Sequence, residues 1–187
     1  MKIGIDYSLS SPGVCVNTSE EEFRYEDCKF YFLTNTKKYV GTWKEKMAFG
    51  TSVVEYIGTP HKPYSSEPER YNNIANWVID IINSPFNSWP HNRVAIDRSN
   101  PIIQIEDYSF GSTGRVFHIA ENLGLLKYKL KIERGWDYTL LAPSVIKKFA
   151  TDKGNANKEL MLGAFQEDTG VNLGMLLDSS VKSPITD

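Results

Sequence analysis

The first third of the chain shows the short alternating apolar runs that are typical of β-strands. Residues 2–9 and 13–17 are two such runs, separated by a Ser-Ser-Pro-Gly turn, and this arrangement predicts a β-hairpin. Residues 22–35 are rich in aromatic side chains that partly alternate with polar ones, which predicts a third strand. Three antiparallel strands in succession would form a meander.

Further along the chain, the spacing of the apolar residues predicts helices that alternate with strands. Helical spacing covers residues 67–83, 112–131, 143–151 and 158–170, and apolar strand-like runs cover residues 102–106 and 138–143. A meander followed by this alternation predicts an α/β domain with a mixed five-stranded sheet. The later strands of this sheet would be parallel, and helices would flank it. Residues 36–66 fit neither spacing, so we expect a long functional or disordered insertion there.

The composition is that of a globular protein, since 41% of the 187 residues are hydrophobic and 24% are charged. This length fits a single domain spanning residues 1–187. No apolar stretch is long enough for a membrane helix, and the amino terminus lacks the features of a signal peptide. Cys15 and Cys28 lie in apolar, strand-like surroundings, which favours free buried thiols. We therefore expect a cytoplasmic protein with no membrane partner.

The net charge of −2 gives no sign of nucleic-acid binding, but the charge is unevenly distributed. Residues 127–158 contain eight basic residues and three acidic ones, a local charge of +5. Such a segment can form a face that binds a polyanion. Charge alone, however, favours the simpler interpretation of a solvated lysine-rich surface.

Two carboxylates, Asp6 and Glu106, lie at the ends of predicted strands that are otherwise apolar. A carboxylate in such surroundings is costly unless it is paired or bound to a cation. Strand alternation places Asp6 on the same face as Gly4, which leaves room there. If the two strands are neighbours, the carboxylates converge into an all-oxygen site for Mg²⁺ or Mn²⁺, and such a site can hold two ions. In the alternative interpretation, Asp6 caps the following turn and Glu106 pairs with a lysine.

Three stretches of the sequence resemble the RuvC family of Holliday junction resolvases, in particular its phage branch. The stretch "GIDYSLSSPGV" resembles the first strand of that family with its metal-binding aspartate. The stretch "IQIEDYSFGSTGRVFHIAENLGLLKYKL" resembles the second catalytic strand with its glutamate and the helix that follows. The most specific stretch, "LLAPSVIKKFATDKGNANKELM", resembles the V-K-x-x-x-x-G-x-G-x-A-x-K segment of the family. The resemblance covers residues 2–17 and 102–187.

This resemblance implies a ribonuclease H-like fold and a homodimeric, metal-dependent endonuclease that cleaves Holliday junctions and other branched DNA. It implies that Asp6, Glu106 and Asp187 are the catalytic ligands of Mg²⁺ or Mn²⁺, with two ions per site. Asp187 matches the first aspartate of a D-x-x-D motif, whose second aspartate would follow three residues later, outside this sequence. Asp178 is a weaker candidate for the same ligand. An incomplete set of ligands would weaken metal binding and activity.

The same resemblance assigns a DNA-contacting role to the lysine-rich segment. The implied DNA-binding residues are Lys147, Lys148, Lys153, Gly154, Asn155 and Lys158. In the family, an aromatic residue just after the catalytic glutamate stacks on unpaired bases, and Phe110 and Tyr108 occupy that neighbourhood, although both also fit a role in the core. The predicted helix 112–131, with its small residues Ala120 and Gly124, is the expected dimer element.

Two other functions stay open at this point. One is a catalytically silent module that recognises branched DNA, which an incomplete set of acidic ligands would favour. The other is an actin-like or sugar-kinase-like phosphotransferase, because "GIDYSLSS" also resembles the first phosphate loop of that superfamily; the second phosphate loop is not found in these 187 residues. The resolvase interpretation predicts phosphodiester hydrolysis that leaves 5′-phosphate and 3′-hydroxyl ends.

Overall fold

The computed structural model describes residues 1–19, 23–46, 53–84, 101–108 and 116–176. The strands are β1 (Lys2–Asp6), β2 (Gly13–Asn17), β3 (Cys28–Thr34), β4 (Gly41–Lys46), β5 (Val53–Pro60), β6 (Ile102–Glu106) and β7 (Tyr138–Leu141). The helices are α1 (Glu67–Asn83), α2 (Val116–Tyr128), α3 (Pro143–Thr151), α4 (Lys158–Thr169) and α5 (Leu173–Leu176). A π-helical turn, Lys129–Glu133, continues α2, and 3₁₀ turns cover Tyr25–Asp27 and Lys37–Tyr39.

The strands form one mixed sheet in the order β4-β5-β3-β2-β1-β6-β7. The predicted antiparallel meander of β1, β2 and β3 is confirmed, and β6 and β7 continue the sheet parallel to β1. Since β5 is parallel to β3, the strands β1, β3, β5, β6 and β7 all run in one direction. They finish at one end of the sheet, which we call its carboxyl end. The predicted mixed α/β sheet is thus confirmed, with seven strands instead of five.

The two additional strands, β4 and β5, come from the segment 36–66 that the sequence pattern left unassigned. In β5 the buried side chains of Val54 and Tyr56 alternate with half-buried ones. Gly58 interrupts this apolar pattern in the sequence, but the packing of the strand requires a glycine at this position. A Cβ atom at Gly58 would overlap the carbonyl oxygen of Tyr39 and lie 2.8 Å from the ring of Phe32. The glycine therefore allows the close approach that the strand needs.

Helix α1 forms over the predicted residues 67–83 because its start and its apolar stripe are both encoded locally. Ser66 is the N-cap, and its Oγ accepts a hydrogen bond from the backbone nitrogen of Glu69 at 3.4 Å. Pro68 lies in the first turn, where its missing N–H costs nothing. The predicted helix 112–131 begins at Val116 in the structure, and residues 112–115 lie outside the described part of the chain.

The two faces of the sheet pack against different helices. On one face, Ile3, Ile5 and Ile105 lie in a core that α1 and α2 cover. On the other face, Tyr56 packs in a smaller core with Phe165 of α4 and the residues of α5. Because side chains alternate along β1, Asp6 points away from the α1–α2 core and toward the side of α3 and α4.

The structure also bears on two expectations drawn from composition. Cys15 and Cys28 are free thiols, as predicted; Cys28 is buried and Cys15 is half-buried. In the part of the chain that the structure describes, no helix has the length and apolar character needed to cross a membrane.

Candidate active site

Strands β1 and β6 bring Asp6 and Glu106 together at the carboxyl end of the sheet. The two strands are parallel neighbours, and Gly4 lies opposite Gln104. Continued by two residues, this register sets Asp6 beside Glu106, and strand alternation gives both side chains the same face. The sequence predicted this convergence only on the condition that the two strands are neighbours, and the observed pairing meets that condition.

Burial raises the pKa of both carboxyl groups, and nearby lysines offset this effect only in part. The pKa of Asp6 is raised by burial, against which the charge of Lys158 acts. The pKa of Glu106 is raised to about 7 by burial and by the charge of Asp6, while Lys147 acts in the opposite direction. The two lysines do not fully compensate the negative charge of the adjacent carboxylates, and a bound divalent cation would supply the remaining positive charge. The hard oxygen donors of the carboxylates are the type that Mg²⁺ and Mn²⁺ prefer.

A cavity of about 670 Å³ opens beside the two carboxylates, between the sheet and helices α3 and α4. Lys147 of α3 and Lys158 of α4 line it together with Asp6 and Glu106. Gly4 also lies in its wall, and a Cβ atom there would have no heavy atom within 4 Å. The missing side chain at Gly4 therefore keeps space open next to Asp6. The rest of the wall includes the aromatic side chains of Phe30, Tyr56 and Phe165.

The turn between α3 and α4 holds the two lysines in place through its backbone. Helix α3 ends at Thr151, and the residue that follows it, Asp152, has a φ of 59° in the left-handed region. A Cβ atom at Gly154 would lie 3.3 Å from the carbonyl oxygen of Ser144, so this turn packs tightly on the start of α3. Asn157 is the N-cap of α4, and its Oδ1 accepts from the backbone nitrogen of Leu160 at 3.0 Å. These contacts fix the direction in which α4 begins.

The other predicted DNA-binding residues of this segment lie on its outer side. Lys148, Lys153 and Asn155 are exposed, and Gly154 is half-buried in the turn. Their positions are compatible with phosphate contacts, and their roles stay predictions.

Several predicted residues are not brought to the site by the described structure. Phe110, Asp178 and Asp187 lie outside the described residues, so their predicted roles stay predictions. Tyr108 is half-buried and packs against the α1–α2 core, and its predicted contact with DNA bases is untested. Within the described ranges, no group of three or more His, Cys, Asp or Glu side chains is arranged to hold a metal ion. The described portion of the expected metal site is therefore the carboxylate pair.

The turn between β1 and β2 is held by two residues that the sequence did not point to. A guanidinium nitrogen of Arg70 donates to the carbonyl oxygen of Leu9 at 3.0 Å, and Nε2 of His61 donates to that of Ser10 at 2.9 Å. Burial lowers the pKa of His61 below its usual value of 6.5. No local pattern could reveal these contacts, because each joins segments more than 50 residues apart.

Two solved structures share this fold. The structure of Thermus thermophilus RuvC is 16% identical, and the match covers 98% of this chain and 90% of that one with a TM-score of 0.51. T. thermophilus RuvC in complex with a Holliday junction substrate is 15% identical, with coverage of 96% and 90% and a TM-score of 0.52. No protein-family model matches the sequence, and a search of curated proteins finds no match. The likeness therefore confirms the predicted RuvC-like α/β fold.

Proposed function

We propose that this protein is a divalent-metal-dependent endonuclease that cleaves Holliday junctions and other branched DNA. The observation that carries the proposal is the pairing of Asp6 with Glu106 at the ends of two neighbouring parallel strands on a RuvC-like fold. One of the similar RuvC structures holds a Holliday junction substrate, which supports branched DNA as the substrate class here. Assignment to the phage branch belongs to the same proposal and rests on the three sequence stretches.

In the proposed site, Asp6 and Glu106 hold Mg²⁺ or Mn²⁺ ions, two per site, with Asp187 as a further ligand. When bound, the ions would supply Lewis-acid activation of water and would neutralise charge on the phosphodiester. The two carboxylates fit this role because burial and their mutual repulsion disfavour both negative charges at once in the absence of a cation.

The lysines around the carboxylates would position the DNA strand. Lys147 and Lys158 line the cavity with Asp6 and Glu106, so they can hold the phosphate that is hydrolysed. Lys148 and Lys153, on the outer side, can contact flanking phosphates, with Asn155 as a further donor and Gly154 allowing close approach of the backbone. Hydrolysis in this site needs no nucleophile from the protein and would leave 5′-phosphate and 3′-hydroxyl ends.

Helix α2 would join two copies of the chain. Phe117 and Tyr128 on this helix are 78% and 54% exposed, and Gly124 lies between them at helical spacing on the same exposed side. A Cβ atom at Gly124 would have no heavy atom within 4 Å, so this side of the helix is open to close approach. A two-fold dimer through α2 would present two sites to opposite strands of a four-way junction.

The experiment that tests the function measures strand cleavage of an end-labelled four-way junction in Mg²⁺, with linear duplex of the same sequence as the substrate control. We expect Asp6→Asn and Glu106→Gln to lower the cleavage rate at least about 100-fold. Removal of a residue that only supports a metal ligand already lowers activity by about 10- to 100-fold, and removal of the ligand itself should lower it further. Junction binding should be retained, since both changes remove negative charge. The matched control is Asp137→Asn, at an exposed aspartate before β7, which should cleave at the wild-type rate.

Cleavage that survives in Asp6→Asn would show that the proposed active site is wrong. A wild-type protein that binds junctions in preference to duplex, yet cleaves neither in Mg²⁺ or Mn²⁺, would instead support the silent branched-DNA module.

A further inference from the structure

Two connections of the inserted strands emerge at the same end of the sheet as Asp6. Thr34 at the end of β3 lies opposite Pro60 at the end of β5, and both strands are parallel to β1. The segments that follow them, residues 35–40 and 61–66, therefore leave the sheet side by side at its carboxyl end. We call these two segments the insertion loops.

The insertion loops are fixed to the turn that follows β1. His61, in the second loop, donates to the carbonyl oxygen of Ser10 in that turn at 2.9 Å. The backbone nitrogen of Leu33, just before the first loop, donates to the carbonyl oxygen of Pro12 at 3.1 Å. At strand spacings of about 4.8 Å, β3 lies two spacings and β5 three spacings from β1, so the first loop begins about 10 Å and the second about 14 Å from the strand that carries Asp6.

The insertion loops carry positive charge and no acidic residue. Their basic residues include three exposed lysines, Lys37, Lys38 and Lys62. Lys37 and Lys62 make no ion pair with any residue in the described part of the chain, and the ammonium group of Lys38 lies 5.6 Å from the ring centre of Tyr39. Three exposed ammonium groups on two adjacent loops form a surface that favours anions.

The backbone of the first insertion loop is ordered by its own hydrogen bonds. The backbone nitrogen of Tyr39 donates to the carbonyl oxygen of Thr36 at 2.9 Å, and that of Thr36 donates to Oγ1 of Thr34 at 3.1 Å. The side chain of Tyr39 is buried in the smaller core. Lys37 and Lys38 are therefore presented from a fixed turn, which lowers the entropy lost when they bind a ligand.

The acidic residues nearest in sequence, at the start of α1, have partners other than the loop lysines, although Glu69 binds Ser65 of the second insertion loop itself. Glu67 pairs with Arg70 at 3.5 Å, and Glu69 accepts a hydrogen bond from the backbone nitrogen of Ser65 at 2.7 Å. They cap and flank the helix, and neither pairs with a lysine of the insertion loops among the described contacts.

We infer that the insertion loops form a second phosphate-binding surface, which holds a duplex arm of the DNA substrate through Lys37, Lys38 and Lys62. The inference rests on the proposed function, because the ligand is an arm of the same branched DNA. The separations of about 10 Å and about 14 Å from β1 are shorter than one helical turn of DNA, about 34 Å. DNA whose phosphodiester lies at Asp6 can therefore reach the loops, while Lys147 and Lys158 contact it in the cavity beside the carboxylates.

The test compares Lys37→Ala/Lys62→Ala with the control Lys44→Ala in the protein of 187 residues. Lys44 is exposed on β4 and pairs with Glu55 near the start of β5, so it lies toward the opposite end of the sheet from the insertion loops. Binding to a four-way junction is measured by fluorescence anisotropy at several salt concentrations in Ca²⁺, with circular dichroism melting curves to check folding. Each lost phosphate contact lowers the slope of log K against log salt by about 0.9.

We expect the Lys37→Ala/Lys62→Ala variant to lose about 2 from the magnitude of this slope, and the control to keep the wild-type slope. A loop variant that melts like the wild type and keeps its slope would overturn the inference. If the wild type binds the junction but does not cleave it in Mg²⁺, the nuclease proposal fails. The slopes of log K against log salt still show whether Lys37 and Lys62 contact the DNA. A wild type that binds no DNA would overturn both.

Discussion

Glu106 has a pKa of about 7, against an ordinary value of 4.5, because burial and the charge of Asp6 both oppose its ionisation. The folded protein therefore holds this proton up to about pH 7, whereas the unfolded chain releases it near pH 4.5. Between these two values the folded state binds more protons, so its stability falls as the pH rises through this window. The raised pKa of Asp6 acts in the same direction.

We therefore predict that the metal-free protein is more stable near pH 5 than near pH 8, and that Glu106→Gln reduces this difference. The contribution of Glu106 should be about 1 kcal/mol once solvent screening of this half-buried group is allowed for, or about 3 °C in melting temperature. Melting curves in EDTA at the two pH values measure it. Glu167→Gln, at an exposed glutamate of α4, serves as the control and should keep the wild-type dependence.

Addition of Mg²⁺ at pH 8 should raise the melting temperature of the wild type and have less effect on Glu106→Gln, because a bound cation stabilises the ionised carboxylates. If Glu106→Gln shows the same pH dependence as the wild type, Glu106 does not have the raised pKa that the structure indicates.

The sequence could predict which carboxylates are unusual but not everything that surrounds them. Asp6 and Glu106 interrupt apolar strands, and the cost of burying a charge makes such positions recognisable without a structure. The predicted alternation also placed Gly4 beside Asp6, where the structure shows open space. The bond between His61 and Ser10 depends on how distant segments pack, and a single sequence carries no local signal for it.

The elements that the sequence predicted well are those whose start and apolar face are both encoded by neighbouring residues. Helix α1 has an N-cap serine, a proline in its first turn and a regular apolar stripe, and it forms over the predicted range 67–83. Strands β4 and β5 were missed because their pattern is broken by Gly58 and by interspersed lysines. What defines β5 is its pairing with β3 and its packing on the smaller core, which are properties of the folded chain.

At the element scale we predict that Gly58→Ala destabilises the protein by about 3 kcal/mol, because the added methyl group has no space beside Tyr39 and Phe32. Gly163→Ala is the matched control. Gly163 lies within α4 with no heavy atom within 4 Å of its Cβ position, so alanine there should stabilise by about 1 kcal/mol. Urea unfolding of both variants measures the two effects. Equal effects of the two changes would mean that β5 does not approach the 3₁₀ turn as closely as described.

The core, the carboxylate pair, the insertion loops and the expected dimer surface occupy different parts of the molecule. The α1–α2 core supports one face of the sheet, the other face carries the carboxylate pair beneath α3 and α4, and the insertion loops extend the carboxyl end. Helix α2 presents an exposed side away from that site, with Phe117 and Tyr128 on either side of Gly124. This arrangement would let two copies associate without covering either site.

We predict that Phe117→Glu/Tyr128→Glu shifts the protein to monomers, because each glutamate would place a charge in the expected apolar contact. Sedimentation velocity measures the change in mass, and circular dichroism confirms that the variant is folded. Phe149→Glu is the control, since Phe149 is 94% exposed on α3 and outside the expected interface. A wild type that sediments as a monomer at tens of micromolar would exclude the proposed dimer.

The smaller core has a consequence for any attempt to shorten this protein. Tyr56 of β5 stacks on Phe30 with ring centres 5.0 Å apart, and Phe30 meets Phe165 of α4 edge-on at 6.3 Å. Helix α4 also carries Lys158, which faces Asp6. Strand β5 thus supports, through Tyr56 and Phe30, the side of the sheet that carries the carboxylate pair, so a version trimmed to five strands would uncover one face of Phe30 and weaken the packing on which α4 and Lys158 rest.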